Sequence, residues 1–61
     1  MKRHELIKYL EKYHCQILRE GGKHTVYYNL LTGKTSTIPR HQEINNFLAQ
    51  KICKDLEVPK I

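Results

Sequence analysis

Two adjacent glycines, Gly21 and Gly22, interrupt a stretch in which apolar and polar residues otherwise alternate. The residues before them alternate as strand residues do, and Thr25-Val26-Tyr27-Tyr28 after them is dense in β-branched and aromatic side chains. This pattern predicts two antiparallel strands joined by a tight glycine turn. His24 is expected where the second strand leaves that turn.

Two amphipathic helices are predicted, one at each end of the chain. In the first, Arg3 to Tyr13, apolar residues recur at i, i+3, i+4 and i+7: Leu6, Tyr9, Leu10 and Tyr13. The second is expected after Arg40-His41-Gln42 and before Val58-Pro59. Its apolar positions with helical spacing are Ile44, Phe47, Leu48, Ile52 and Leu56.

A third short strand, Thr35 to Ile38, is expected after a turn at 29–34 and should end at Pro39. The predicted class is therefore α+β, in the order α-β-β-β-α. We expect a three-stranded antiparallel sheet with both helices on one face, since neither layer buries its apolar side alone. That order is similar to a double-stranded-RNA-binding domain. Leu30 and Leu31, in the turn, either fold back onto the core, which we favour, or contact another protein.

Size and charge limit the classes of function. Sixty-one residues leave no room for a nucleotide fold or an elaborate pocket, so we expect one domain over residues 1–61. Eleven Lys and Arg against six Asp and Glu give a net charge of +5. Such an excess suits a polyanionic partner, although basic residues also serve solubility alone.

Neither cysteine has the spacing of a metal site or a disulfide framework. Cys15 and Cys53 are far apart in the sequence, and no CxxC pair is present. The first residues are charged, and no apolar run long enough for a signal peptide or a membrane span follows them. We expect both cysteines to be small core residues, with no metal, no cofactor, no membrane association and a reduced cytoplasmic location.

The glycine turn, the segment around Pro39 and the last helix carry an ordered set of motif residues. They are Arg19, Gly22, Lys23, His24 and Tyr27, then Pro39, Arg40 and His41, then Glu43, Ile44, Leu48, Lys51 and Ile52. This set resembles the HicA toxin family of small RNA-cleaving proteins over nearly the whole chain. Two departures are Lys23, where the commonest form has Ser, and His14-Cys15, where Gly and an aromatic residue are frequent.

The resemblance implies a toxin of a type II toxin-antitoxin system. Its activity would be that of a metal-independent endoribonuclease, an mRNA interferase that cleaves mRNA and inhibits translation. The implied partners are mRNA and a cognate HicB-type antitoxin, with an oligomer possible in the toxin-antitoxin complex. The implied fold is the same α-β-β-β-α arrangement.

Metal-free RNA cleavage uses the ribose 2′-hydroxyl as nucleophile and needs proton transfers and charge stabilisation at phosphorus. We assign the catalytic role to His24, because imidazole titrates near neutrality. Lys23 offers a cation, and the amides of Gly21 and Gly22 are candidate donors to phosphate oxygens. The residues expected to bind RNA are Arg19, Gly22, Lys23, Arg40 and His41.

Several alternatives remain open at this point. Without the resemblance, His24 is more often a turn or strand-end residue than a catalyst. Strict alternation puts it on the face of Val26 and Tyr28, and if the helices cover that face, only its place at the strand end keeps it accessible. His41 fits a second acid-base group, an RNA contact or a helix start, and we favour a structural or RNA-contact role.

Two other functions compete with catalysis. The first is a non-catalytic double-stranded-RNA-binding module with the same fold and charge, in which His24 contacts phosphate. The second is a protein-interaction domain that uses Leu30, Leu31 and the tyrosines. Affinity for RNA and cleavage of RNA separate the three.

Overall fold

The computed structural model describes residues 1–61. Five elements follow one another in the predicted order: α1 (Arg3–Lys12), β1 (Cys15–Glu20), β2 (His24–Asn29), β3 (Thr35–Pro39) and α2 (Asn46–Asp55). The three strands form one antiparallel sheet in the order β1-β2-β3. The α+β class and the α-β-β-β-α order are thus confirmed. Neither helix is both long and apolar enough to span a membrane.

The first helix matches its prediction to within one residue at its end. Leu6 and Leu10 are fully buried, and Tyr9 and Tyr13 pack at the edge of the core with ring centroids 5.0 Å apart. At its start the Glu5 carboxylate accepts a hydrogen bond from the Lys2 amide at 3.0 Å. An acid in the first turn also interacts favourably with the helix dipole.

One face of the sheet meets both helices and the other is open. Along β2, Thr25, Tyr27 and Asn29 are buried. On the other face His24 is exposed, and Val26 and Tyr28 are half-buried. Side chains from this buried face and from the helices form a single core. Its members are Leu6, Leu10, Cys15, Tyr27, Ile38, Ile44, Ala49, Ile52, Cys53, Leu56 and Val58. The packing of both helices on one face is confirmed.

A β-bulge in β1 changes which residues face the helices. Ile17 pairs with Tyr27, but the next pair is Arg19 with Val26, so Leu18 is the additional residue. Paired residues share a face, so Arg19 lies on the open face and Glu20, paired with Thr25, lies on the helix face. Without the bulge, strict alternation would place Arg19 on the helix face and Glu20 on the open face.

The second helix begins later than predicted. Asn45 is its N-cap, and the Asn45 side-chain oxygen accepts hydrogen bonds from the amides of Phe47 at 2.8 Å and Leu48 at 3.4 Å. His41 therefore lies in a loop and not at the helix start. Phe47, grouped with the apolar positions of this helix by its spacing, is 84% exposed, while Ala49 and Cys53 take the inward positions with Ile52.

The turn between β2 and β3 is built on Asn29, whose side-chain oxygen accepts the Leu31 amide at 2.8 Å. Gly33 closes the turn with a φ of 77°, a left-handed conformation that glycine adopts without strain. The expectation that Leu30 and Leu31 fold back onto the core was wrong. Both are exposed, Leu31 by 74%, because the Asn29 side chain takes the inward position at this end of the sheet.

Both cysteines are core residues, as predicted. Cys15 begins β1 and Cys53 lies in α2, and both thiols are free and fully buried. Burial raises the pKa of each thiol, because the thiolate loses its hydration in the core. Raised pKa values favour the neutral thiol, which suits a packing role.

Candidate active site

His24 is the first residue of β2 and lies on the open face of the sheet. Its side chain is exposed, and the imidazole makes no hydrogen bond within the chain. Because the helices cover the opposite face, access to this ring does not depend on its position at the strand end. The structure thus removes the difficulty raised by strict alternation, since the face shared with Val26 and Tyr28 is the open one.

An open concavity of about 470 Å³ surrounds this imidazole. Its lining residues are Lys23, His24, Arg40 and His41, and we call it the His24 concavity. The β1–β2 turn supplies Lys23 and the start of β2 supplies His24. The segment after β3 supplies the other two, because the register pairs His24 with Pro39. Four of the residues expected at the site therefore come together, and no carboxylate lines the concavity.

Arg40 holds the β1–β2 turn in place. Its guanidinium donates to the Gly22 carbonyl at 2.9 Å, to the Gly21 carbonyl at 2.6 Å and to Glu20 Oε1 at 2.7 Å. A longer contact, 3.4 Å, reaches the carbonyl of His24. Arg40 was expected to contact RNA, but these donors are used within the chain, so we assign it first to the shape of the turn.

The contacts of Arg40 extend into the core through Glu20. Glu20 Oε1 also accepts from the Thr25 hydroxyl at 2.7 Å, and Thr25 Oγ1 in turn accepts from Arg3 Nη2 at 3.1 Å. Arg3 Nε donates to the Pro39 carbonyl at 2.8 Å. A continuous chain of hydrogen bonds thus joins α1, both hairpin strands and the turn. Sequence reasoning missed Glu20, Thr25 and Arg3, because no local pattern links residues so far apart along the chain.

The two turn glycines differ in what the fold requires of them. Neither has a positive φ, so the left-handed freedom of glycine is not used here. The Gly21 amide donates to the His24 carbonyl at 2.8 Å, and a Cβ on Gly21 would lie 3.0 Å from that oxygen. The Gly21 amide is therefore not free for phosphate, contrary to expectation. The Gly22 amide has no acceptor within the chain, and a Cβ there would meet nothing within 4 Å.

Arg19 and Gly22, both expected to bind RNA, do not line the concavity, and neither does Tyr27. Arg19 is exposed, pairs with Val26 on the open face, and is a diagonal neighbour of His24 across the β1–β2 ladder. Diagonal neighbours on a sheet lie about 7–8 Å apart, within reach of a long side chain. Tyr27 is buried between the sheet and the helices, in agreement with a packing role.

Comparison with known protein families decides what kind of chain this is. A family model described as HicA toxin of bacterial toxin-antitoxin matches residues 3–58. The chain belongs to the HicA toxin family. No curated protein sequence and no solved structure gave a match.

The matched range covers both helices, all three strands and every residue of the His24 concavity. The matched range therefore includes the candidate site as well as the scaffold. Membership in the HicA family also places the chain among the toxin components of bacterial toxin-antitoxin pairs.

The pH dependence of folding tests the role of Glu20 in this HicA-family chain. Hydrogen bonds from Arg40 and then from Thr25 hold the pKa of Glu20 below its ordinary value of 4.5. A lowered carboxyl pKa stabilises the fold above the ordinary value, and this contribution is lost as the pH falls through the lowered one. We expect Glu20→Gln to be less stable than the wild type at pH 7 and to show a shallower stability loss below pH 4.5, by urea unfolding.

Glu11→Gln is the control for that experiment, because Glu11 is exposed and makes no ion pair or side-chain hydrogen bond. The free energy of unfolding of Glu11→Gln should fall with decreasing pH as that of the wild type does. Glu43 and Asp55 also have lowered pKa values, through contacts with Lys2 and Lys51, and they contribute equally to all three proteins. An acid slope in Glu20→Gln equal to that of the wild type would contradict the assignment.

Alanine at the two glycines should show that the fold requires a glycine at one position and not at the other. Gly21→Ala places a methyl group against the His24 carbonyl, so we expect a stability loss of about 1 kcal/mol or more. Gly22→Ala meets no obstacle, and we expect stability that is unchanged or raised by about 0.4–1 kcal/mol. A larger stability loss at Gly22 than at Gly21 would refute this reading.

Proposed function

We propose that this HicA-family chain is a metal-independent endoribonuclease that cleaves mRNA and so inhibits translation. The observation that carries the proposal is the exposed imidazole of His24, free of hydrogen bonds, in a concavity lined by cationic and imidazole side chains. Such a surface attracts a phosphodiester and leaves the imidazole free to exchange protons with it.

The reaction would begin with attack of a ribose 2′-hydroxyl on the adjacent phosphorus. His24 takes part in one of the two proton transfers, either removing the 2′-hydroxyl proton or protonating the departing 5′-oxygen. Lys23, which makes no ion pair within the chain, stabilises the additional negative charge on the phosphate oxygens. The Gly22 amide, which has no acceptor within the chain, is a backbone donor next to Lys23 in sequence.

His41 shares the concavity with His24, and we assign it to RNA contact. Arg40 supports this site indirectly, by fixing the carbonyls of the turn that carries Lys23 and His24. Arg19 lies on the same open face and extends the cationic surface toward β1. The site thus joins one acid-base residue to cations on two sides.

The restraining partner would be a HicB-type antitoxin that covers the His24 concavity. Net charge and site composition support this partner, because an acidic segment would complement both the overall +5 charge and the carboxylate-free lining. Complementary charge speeds association between such partners. Covering the imidazole would block substrate without any change in the fold of the toxin.

Incubation of the purified protein with RNA in excess EDTA tests the enzymatic proposal. We expect cleavage, with fragments ending in a 2′,3′-cyclic phosphate or a 3′-phosphate, because the 2′-hydroxyl is the nucleophile and no metal is needed. RNA that is bound but stays intact would instead support the non-catalytic RNA-binding module. RNA that is neither bound at low salt nor cleaved would exclude both.

A further inference from the structure

A second concavity adjoins the His24 concavity on the side of the α1 start. It measures about 460 Å³, and its lining residues are Lys2, Arg3, His4, Arg40 and Gln42. We call it the α1 concavity. Arg40 lines both concavities, so the two adjoin at the side chain that holds the β1–β2 turn.

Contacts between distant segments fix the walls of the α1 concavity. The Arg3 amide donates to the Gln42 carbonyl at 2.8 Å, which ties the start of α1 to the loop before α2. Lys2 forms an isolated antiparallel bridge with Glu43 in the same loop. The Arg3 side chain is held by Pro39 and Thr25, as described above. The surface is therefore preorganised and does not depend on mobile side chains alone.

The lining of the α1 concavity has the chemistry of an anion site. Three of its five residues are cations, the other two are His4 and Gln42, and no carboxylate lines it. The ion pair of Lys2 with Glu43, 3.0 Å, joins two side chains that are both more than half exposed. Exposed pairs of this kind are weak, so the Lys2 ammonium can turn to a stronger anion. His4 is exposed and has no partner in the chain.

We propose that the α1 concavity binds a backbone phosphate of the RNA that flanks the phosphate at His24, with the strand passing over Arg40. This inference rests on the proposed function, since it assumes that the His24 concavity takes RNA. It adds a second phosphate contact from Lys2, His4 and Gln42, residues outside the turn. Arg40 keeps its role in holding the turn, and its side chain, 41% exposed, lies between the two phosphates.

The test is His4→Glu, assayed by binding to 2′-O-methyl RNA, which lacks the attacking hydroxyl and stays intact. Glutamate in the first turn of a helix interacts favourably with its dipole, so the variant should fold with a melting temperature at or above that of the wild type. We expect about tenfold weaker binding at low salt and a salt slope reduced by about 0.7, the value for one lost phosphate contact on a single strand.

Lys34→Gln is the matched control, because it changes the net charge by a similar amount at the other end of the sheet. Lys34 precedes β3, whereas the His24 concavity lies where His24 pairs with Pro39. Its affinity should stay within about twofold of the wild type, with an unchanged slope. Equal losses in both variants would show a bulk charge effect and overturn the proposal.

Other outcomes separate this inference from the proposed function. Wild-type RNA cleavage together with unchanged binding by His4→Glu would overturn the second phosphate site and leave the enzyme intact. Weakened binding by His4→Glu in a protein that cleaves no RNA would keep the phosphate site and overturn the enzyme. If His4→Glu weakens only the complex with an acidic protein partner, the α1 concavity is a protein contact and the proposal is wrong.

Discussion

His24→Ala should abolish RNA cleavage while leaving the fold unchanged. General acid-base catalysis by one side chain contributes about 10²–10⁴-fold to a rate, so we expect a fall of about 100-fold or more in the single-turnover rate. The imidazole is exposed and makes no hydrogen bond within the chain, so its removal should change the free energy of unfolding by less than about 0.5 kcal/mol. Expression in bacteria should then no longer arrest growth.

His41→Ala is the matched control, since it removes an imidazole from the same concavity. As an RNA contact, His41 should affect the affinity for RNA and leave the single-turnover rate at saturating protein nearly unchanged. A loss in rate as large as that of His24→Ala would make His41 the second acid-base group. Cleavage by purified His24→Ala at the wild-type rate would remove His24 from the mechanism.

Asn29→Ala should be the most damaging single change outside the apolar core. Asn29 is 3% exposed, its amide donates to the Leu56 carbonyl at 2.8 Å, and its oxygen accepts the amides of Leu31 and Thr32. Alanine leaves a carbonyl without its donor at the end of α2 and removes the support of the turn. We expect a loss of about 2–3 kcal/mol in the free energy of unfolding by urea denaturation.

That loss is large for a chain of this size, whose total stability is expected to be on the order of 3–9 kcal/mol. Asn45→Ala provides the comparison, because it removes the same amide from an exposed N-cap and should cost only about 1 kcal/mol. If the two variants lose equal stability, the buried contact between the turn and α2 is not what matters at Asn29.

The elements of this fold could be predicted from the sequence because their signals are local. Leu6 and Leu10 recur at helical spacing, and Thr25 to Tyr28 have side chains that favour strands. The glycine pair marks the turn between two strands. Predictions that needed packing were less accurate. Phe47 was grouped with the apolar positions of α2 but is exposed, because Ala49, Ile52 and Cys53 form the buried face and Phe47, two residues before Ala49, lies on the opposite side of the helix.

The candidate site was predicted in part for the same reason. The residues His24 and Lys23 are adjacent to the glycines, so the turn pattern alone brings them together. Arg40 and His41 were expected at the site through the family resemblance, and the pairing of His24 with Pro39 places them there. The part played by Arg40 in shaping the turn was not predictable, because its partner Glu20 lies 20 residues away.

The sequence alone determined the order of helices and strands, the glycine turn and the basic character of the chain. These follow from periodicity and composition, which each segment carries by itself. Only the tertiary structure decided which sheet face stays open, that the bulge places Arg19 on the open face and Glu20 on the helix face, and that Arg40 closes the turn from across the sheet. The open face and the closure of the turn by Arg40 depend on contacts between segments far apart in the chain, and the bulge depends on the pairing of β1 with β2, so no single segment carries these features.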